Sequence, residues 1–204
     1  MLQTVNERNF PADEVFALAS QKSAGKEVSY GDDGVLKVTS LDKFDFSNAD
    51  IALFSAGGDL SKEFAPKAGQ AGCLAIDNSS AFRMDPNVPL VVPEVNPNEL
   101  VQARPENNGK NIVANPNCST AQLVVALKPI HDALNIKRVV VSTYQATSGA
   151  GSQGMEELFN QTKGIFVNDT VTPEVFTKQI AFNAIPHIDV FMDDGSTKEE
   201  WKMQ

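Results

Sequence analysis

Short apolar runs, each bounded by turn residues, alternate with helical periodicity along the first half of the chain. The runs cover residues 15–20, 50–58, 73–80, 89–95 and 111–117. They are nearly continuously apolar, as is typical of strands in a parallel sheet covered on both faces. Between two of them, DLSKEFAPKAGQAG predicts a helix over residues 59–72. This alternation predicts an α/β fold built on a doubly wound parallel sheet.

The second half of the chain has a different pattern. A helix is predicted over residues 119–134, followed by a strand in RVVVSTY, residues 138–144. The glycine-rich turn SGAGSQG then opens a helix near residues 155–163, and DDGSTKEEWKMQ starts a last helix with Ser196 or Thr197 as N-cap. We therefore predict two domains, residues 1–117 and 118–204.

Both ends of the chain are unusual for a nucleotide-binding sheet. Such a sheet normally begins with a strand and a glycine-rich phosphate turn. Here MLQTVNERNFPADEV has the pattern of the back half of a first helix, closed by Pro11, and the final helical pattern has no stop signal. The sequence thus predicts a fragment that lacks material at both ends.

Composition excludes several classes of protein. The 204 residues carry a net charge of −9 with scattered basic residues, which argues against a nucleic-acid surface. No apolar run approaches the roughly 20 residues of a membrane span, and the first residues lack a signal-peptide pattern. Two cysteines fit a reducing cytoplasm. His131 and His187 have no ligand partner nearby, so we interpret both as structural and predict no metal site.

Cys118 lies in NPNCSTAQ, where an apolar run gives way to a helical pattern. A thiolate at a helix N-terminus gains from the macrodipole and from backbone N–H groups without intrahelical partners. Those groups, with the Asn117 side chain, form a candidate oxyanion hole for a thiohemiacetal or acyl-thioester. The alternative is that Cys118 is a small buried residue that happens to start a helix. Cys73 begins an apolar run, and we predict that it belongs to the core.

Other polar residues follow predicted strands or share a helix face. Gln145 ends VVVSTYQ, where its amide could orient a carbonyl, or it is an ordinary turn residue. Arg83 in SSAFRMD could hold a phosphate or carboxylate bidentately, or cap loop carbonyls. Glu199 and Lys202 lie three apart, so they form either a site or a plain helical ion pair. The turn SGAG could admit a cofactor close to its backbone.

Five segments together resemble bacterial aspartate-β-semialdehyde dehydrogenase, in order and through essentially the whole chain. They are NPNCSTAQLVVALKPIHDA, VVVSTYQATSGAG, DNSSAFRMD, LVVPEVNP and IPHIDVFMDDGSTKEEWKM. The resemblance implies a Rossmann-like NADP-binding domain followed by part of an α+β catalytic and dimerisation domain. It also implies a cytoplasmic homodimer that interconverts L-aspartyl-4-phosphate with L-aspartate-4-semialdehyde and phosphate, in lysine, threonine, methionine and isoleucine biosynthesis.

The resemblance assigns roles to individual residues. It makes Cys118 the nucleophile, Gln145 the group that orients the substrate, and Glu199 the carboxylate that receives the substrate ammonium. It makes Arg83, Asn117 and Lys202 the residues that contact the phosphate. Cofactor contacts fall to Lys22 and Ser23, which match the family's usual Arg–Ser at the adenosine 2′-phosphate, and to Ser148 and Gly149. Lysine keeps the charge of that arginine but not its guanidinium fork, and the implied cofactor is NADP.

Two departures and two alternatives accompany this assignment. The family's glycine-rich loop is absent, and its carboxylate-binding arginine and acid/base histidine would follow Gln204, so we expect this fragment alone to be inactive. One alternative is N-acetyl-γ-glutamyl-phosphate reductase, which carries a PGCY-like segment where this chain has PNCST. The other alternative is a truncated, non-catalytic homologue.

Overall fold

The computed structural model describes residues 1–32 and 34–203. It divides the chain into two compact units, Met1–Pro116 and Asn117–Gln204. The strands of the described residues are β1 (Leu18–Ala19), β2 (Glu27–Tyr30), β3 (Gly34–Lys37), β4 (Thr39–Ser40), β5 (Ile51–Phe54), β6 (Leu74–Asp77) and β7 (Ile112–Ala114). The α-helices are α1 (Leu2–Glu7), α2 (Gly58–Gln70), α3 (Cys118–Leu134), α4 (Gly151–Val167) and α5 (Lys198–Trp201).

A parallel sheet with the strand order β5-β6-β7 forms the centre of the first unit. Leu53 pairs with Ile76, and Ile76 pairs with Val113. Helix α2 connects the first two strands and packs on this sheet. The packing is close because Gly69 of α2 lies directly against the Lys110 carbonyl oxygen, where a side chain would not fit. The predicted α/β class with parallel strands is confirmed.

The apolar core of the first unit lies between α2 and this sheet. Phe64 on α2 and Phe54 and Ile112 on the strands are buried together. Cys73 is fully buried among them, as predicted. Burial of this apolar area is the main favourable contribution to the folding of the unit.

The predicted strands differ in how they fold. Those over residues 50–58, 73–80 and 111–117 contain the three central strands, and the one over residues 15–20 contains β1, which pairs in parallel with β4. The strand predicted over residues 89–95 is wrong, since it is reduced to one parallel bridge between Leu90 and Ala114. Pro89 and Pro93 lack the N–H donors that a ladder needs.

Two features near the N-terminus were missed or misplaced. Strands β2 and β3 form an antiparallel hairpin, which the alternating EVSY and GVLK around a turn could have indicated. Helix α1 ends at Glu7 rather than continuing to Pro11. Asn9 adopts a left-handed φ of 48°, which ends the helix before the proline is reached.

In the second unit, the predicted strand RVVVSTY is wrong. Residues 135–146 form no ladder with any described part of the chain, and a strand without a partner leaves its backbone groups to solvent. The buried residues of this unit are mainly polar, and within the described portion Ala181 is the one buried apolar residue. Helix α4 runs beyond both predicted ends.

Within residues 1–32 and 34–203, no helix combines the length and the apolar character that crossing a membrane requires.

Candidate active site

Cys118 is the first residue of α3, with Asn117 as its N-cap. The thiol is exposed, which contradicts the alternative of a buried small residue. The Cys118 Sγ donates to Asn117 Oδ1 at 3.3 Å. The backbone N–H groups of the first turn have no partners inside the helix, so they remain available to an oxyanion beside the thiol.

Glu199 reaches this end of α3 from α5. Thr197 caps α5 through a capping box with Glu200, in which the Thr197 Oγ1 accepts from the Glu200 N–H at 3.2 Å. The cap fixes the short helix, and Glu199 is only 7% exposed. Glu199 Oε1 accepts from Asn117 Nδ2 at 2.8 Å and from Ser119 Oγ at 3.0 Å. The thiol and the carboxylate are thus linked through the Asn117 amide.

The ionisation of Glu199 follows from this setting. Burial raises the pKa of the Glu199 carboxyl, but hydrogen bonds from Asn117, Lys202, Ser119 and Gln145 lower it further than burial raises it. The net pKa lies below the usual value, so the carboxylate is charged at neutral pH. A charged, largely buried carboxylate is suited to receive an ammonium group.

Lys202 completes the charged part of the site. Its Nζ donates to Glu199 Oε2 at 3.1 Å and to Asp189 Oδ2 at 2.8 Å. Burial lowers the pKa of the Lys202 ammonium, while its bonds to Asp189 and Glu199 raise it to a net value above the usual one. The Thr120 Oγ1 donates to the Lys202 carbonyl at 2.9 Å, which ties this residue to α3.

Gln145 lies in the same unit, next to an open cavity. Its Nε2 donates to Thr143 Oγ1 at 3.3 Å, and its side chain also hydrogen-bonds Glu199. The cavity has a volume of about 680 Å³. Its walls include Gln145, Thr147, Leu158, Ile180, Phe182 and Asn183. The second unit therefore brings together five predicted site residues, namely Asn117, Cys118, Gln145, Glu199 and Lys202.

Ser148 and Gly149 lie in the exposed 3-10 turn Thr147–Ala150, just before α4. A Cβ built at Gly149 would meet no atom within 4 Å, so the backbone there is open to a ligand. Lys22 and Ser23 belong to the first unit, in the 3-10 turn Gln21–Ser23 that follows β1. Lys22 is exposed and Ser23 is half-buried. An exposed cation beside a hydroxyl suits a phosphate group.

Arg83 also belongs to the first unit, in the loop after β6. Its Nε donates to the Asn115 carbonyl at 2.9 Å and its Nη2 to the Asn78 carbonyl at 3.1 Å. The fully buried Asp77 holds the same loop by accepting from Ser79 Oγ at 2.7 Å. The guanidinium thus contacts loop carbonyls, as the sequence alternative for this residue expected.

Three residues that contact Glu199 or Lys202 were not predicted from the sequence. Ser119 and Thr120 directly follow the thiol, and the two hydroxyls of NCST were the available signal. Asp189 had no local signal, because it meets Lys202 only through the turn that joins them. No group of three or more His, Cys, Asp or Glu side chains in the described ranges is placed to hold a metal ion. His187 instead stacks on Phe191, with ring centroids 4.6 Å apart.

Comparison with known proteins gives consistent matches over both units. Residues 1–103 match the sequence model of the semialdehyde dehydrogenase NAD-binding domain, and residues 127–204 match that of the semialdehyde dehydrogenase dimerisation domain. Aspartate-semialdehyde dehydrogenase 2 of Vibrio cholerae is 52% identical, over 100% of this chain and 59% of its own length. Aspartate-semialdehyde dehydrogenase of Aquifex aeolicus is 55% identical, over 99% of this chain and 58% of its own length.

Solved structures agree with these matches. Vibrio cholerae aspartate semialdehyde dehydrogenase II complexed with ASA superposes with a TM-score of 0.93 at 50% identity, over 99% of this chain and 59% of that one. Aspartate semialdehyde dehydrogenase with NADP from Candida albicans superposes over 66% of this chain and 43% of that one, with a TM-score of 0.51 at 27% identity. The chain thus spans somewhat less than three fifths of the length of its curated relatives. On the match of both domains and on these identities, the chain belongs to the semialdehyde dehydrogenase family.

Proposed function

We propose that the protein carrying this chain is an aspartate-semialdehyde dehydrogenase. It would interconvert L-aspartate-4-semialdehyde and phosphate with L-aspartyl-4-phosphate, using NADP(H). The observation that carries the proposal is the hydrogen-bonded series from the Cys118 thiol through Asn117 to Glu199 and Lys202. A phosphorylated, zwitterionic substrate needs an accessible thiol, an anion for its ammonium and a cation for its phosphate, and this series supplies all three.

In the oxidative direction, the Cys118 thiolate attacks the aldehyde carbon and forms a thiohemiacetal. The first N–H groups of α3 stabilise the developing oxyanion, while the Asn117 amide holds Glu199 beside the thiol. NADP supplies the hydride acceptor when bound. The resulting acyl-thioester is attacked by phosphate, the C–S bond breaks, and the thiolate leaves as aspartyl phosphate is released.

Substrate recognition rests on the charged cluster. Glu199 would receive the substrate ammonium, while Lys202 and Asn117 would hold the phosphate. Arg83 of the first unit is proposed as a further phosphate contact. Gln145, beside Glu199 and the open cavity, would orient the acyl group by hydrogen bonding.

The proposed cofactor is NADP. The NAD-binding match over residues 1–103 supports a nicotinamide nucleotide, and the exposed Lys22 beside Ser23 suits a 2′-phosphate. The open backbone at Gly149 would admit the cofactor next to Ser148. We expect a homodimer, in keeping with the dimerisation-domain match, and a cytoplasmic location, in keeping with two free cysteines.

The test is phosphate-dependent reduction of NADP by the whole gene product, with aspartate semialdehyde and with N-acetylglutamate semialdehyde as competing substrates. Turnover is expected with the aspartate-derived aldehyde, and Cys118→Ser should abolish it. Cys73→Ala is the matched control, because that thiol is fully buried in the core of the first unit. Turnover of only the glutamate-derived aldehyde, or full activity in Cys118→Ser, would contradict the proposal.

A further inference from the structure

The Lys202 ammonium is shared between two carboxylates that come from different parts of the second unit. Glu199 lies three residues earlier, on α5, whereas Asp189 lies thirteen residues earlier. The Asp189 contact is the shorter of the two, at 2.8 Å against 3.1 Å. The Lys202 side chain is 21% exposed, so neither contact belongs to a freely solvated surface pair.

Asp189 is held in place by its own backbone and by the turn that follows it. Its φ is 68°, in the left-handed region that Asp and Asn adopt more often than most residues other than glycine, and its Oδ1 accepts from the Val190 N–H at 2.9 Å. After it, Phe191 pairs with Thr197, and the Lys198 N–H donates to the Val190 carbonyl at 2.9 Å. This turn returns the chain to α5, so the position of Asp189 against Lys202 is fixed by the fold.

The three N–H donors of the Lys202 ammonium suggest how Asp189 acts. A lysine Nζ carries three N–H donors, and two of them are committed to Glu199 and Asp189. The direction of the third donor is then determined. Without Asp189, Lys202 could turn fully onto Glu199 and occupy the carboxylate oxygens that a substrate ammonium needs.

We propose that Asp189 is a positioning residue for phosphate recognition. It holds the Lys202 ammonium partly away from Glu199, so that Lys202 presents its third N–H to a phosphate oxygen while Glu199 stays available to an ammonium. This inference rests on the proposed function, because it takes Glu199 and Lys202 as the substrate contacts.

Charge alone predicts the opposite effect of Asp189 on phosphate binding. Two carboxylates and one ammonium leave the cluster with one net negative charge. If Asp189 acted only as a charge, removing it would strengthen phosphate binding. If it positions Lys202, removing its acceptor oxygen weakens phosphate binding, and an uncharged acceptor in its place preserves most of it.

The experiment titrates inorganic phosphate into the whole gene product by calorimetry and measures the KM for phosphate and kcat separately. Asp189→Ala is expected to raise the phosphate Kd and KM about tenfold, with kcat within about twofold of wild type. Asp189→Asn, whose amide oxygen still accepts, is expected to stay within about threefold. Asp193→Ala is the matched control, since it removes the same charge from the same turn without a hydrogen bond to Lys202.

The outcomes separate the two proposals. Tighter phosphate binding in Asp189→Ala, or equal weakening in Asp189→Asn, overturns the positioning role. If Asp189→Ala fails to fold, Asp189→Gly removes the acceptor and adopts the left-handed φ without strain, so it serves as the test variant instead. If the wild type turns over neither semialdehyde, the proposed function fails, while the calorimetric titration, with Lys202→Met as the variant that should not bind, still tests Asp189.

Discussion

At the scale of single residues, the two cysteines of this chain occupy opposite environments. Cys118 is exposed at the start of α3, whereas Cys73 is fully buried in the core of the first unit. Burial, and secondarily the Asp50 charge, raises the pKa of the Cys73 thiol. A thiol reacts as its thiolate, so burial makes Cys73 unreactive by limiting both its accessibility and its thiolate fraction.

We therefore predict that a disulfide reagent at pH 8 modifies one thiol rapidly and the second only after denaturant is added. Cys118→Ser should remove the rapid equivalent, and Cys73→Ala should leave it unchanged. The measurement is the absorbance of the released thiolate over time. Two rapid equivalents in the native protein would contradict the burial of Cys73.

The sequence predicted those site residues that lie close together along the chain. Asn117 and Cys118 are neighbours, and Glu199 and Lys202 are three residues apart, so residue type and spacing were enough to predict them as site residues. Asp189 could not be predicted as a site residue, because its contact with Lys202 depends on an intervening turn and on a positive φ. A tertiary contact of this kind leaves no periodic signal in the sequence.

At the scale of elements, α4 has an unusual distribution of polar and apolar side chains. Its buried face carries Glu157 and Gln161. The Glu157 carboxylate accepts from the backbone N–H groups of Glu174 and Val175, at 2.9 and 2.5 Å. The Gln161 Oε1 accepts from Ile180 at 2.8 Å. These two side chains hold the segment that forms one wall of the cavity beside Gln145.

This contact predicts a pH dependence of stability. Burial raises the pKa of Glu157, but the hydrogen bonds from Val175, Glu174, Phe176 and Gln161 bring it below the usual value of 4.5. A lowered pKa in the folded state stabilises the fold above pH 4.5, and that stabilisation is lost as the pH falls through the folded-state pKa. Between pH 6 and 3, the melting temperature of Glu157→Gln should therefore fall less steeply with decreasing pH than that of the wild type; this pH range is the acid limb of the profile.

The same variant should also loosen the segment at neutral pH. Each hydrogen bond to a charged group contributes about 1.5–3 kcal/mol, so we expect Glu157→Gln to lose about 2 kcal/mol of stability. Hydrogen exchange of the amides at residues 174–176 should accelerate accordingly. Glu156→Gln, at the exposed neighbouring position, is the control and should change neither profile nor exchange. An unchanged acid limb in Glu157→Gln would show that this carboxylate does not anchor the segment.

Element prediction succeeded where an element is stabilised within its own unit. The central strands of the first unit have neighbours on the sheet and a helix against one face, and their apolar runs predicted them. RVVVSTY carries an equally strong strand pattern, yet residues 135–146 form no ladder with the described residues. Strand propensity reflects fit to a paired, half-buried surface, so pattern alone does not make a strand.

At the scale of the whole molecule, the two units differ in how they bury apolar side chains. The first unit has a core that includes Phe54, Phe64 and Ile112. In the second, α3 has no buried residue, and α4 exposes Met155, Phe159 and Phe166 by 50%, 68% and 77%. These three are spaced i, i+4 and i+11, so they form one apolar stripe opposite the face that carries Glu157. An exposed stripe of large apolar side chains is typical of an interaction surface.

The last prediction joins this stripe to the proposed homodimer. Helix α4 lies within the residues that match a dimerisation domain, so we expect its apolar stripe to contribute to the contact between subunits. Phe159→Lys places a charge in the middle of the stripe, and a buried, unpaired charge at an interface is strongly unfavourable. Sedimentation equilibrium of the whole gene product should show a dimer for wild type and at least tenfold weaker association for Phe159→Lys. Val35→Lys is the matched control, because Val35 is similarly exposed, at 59%, but lies on β3 of the first unit. Equal association of both variants would exclude the stripe from the interface, and weakening by Val35→Lys alone would assign the contact to the first unit.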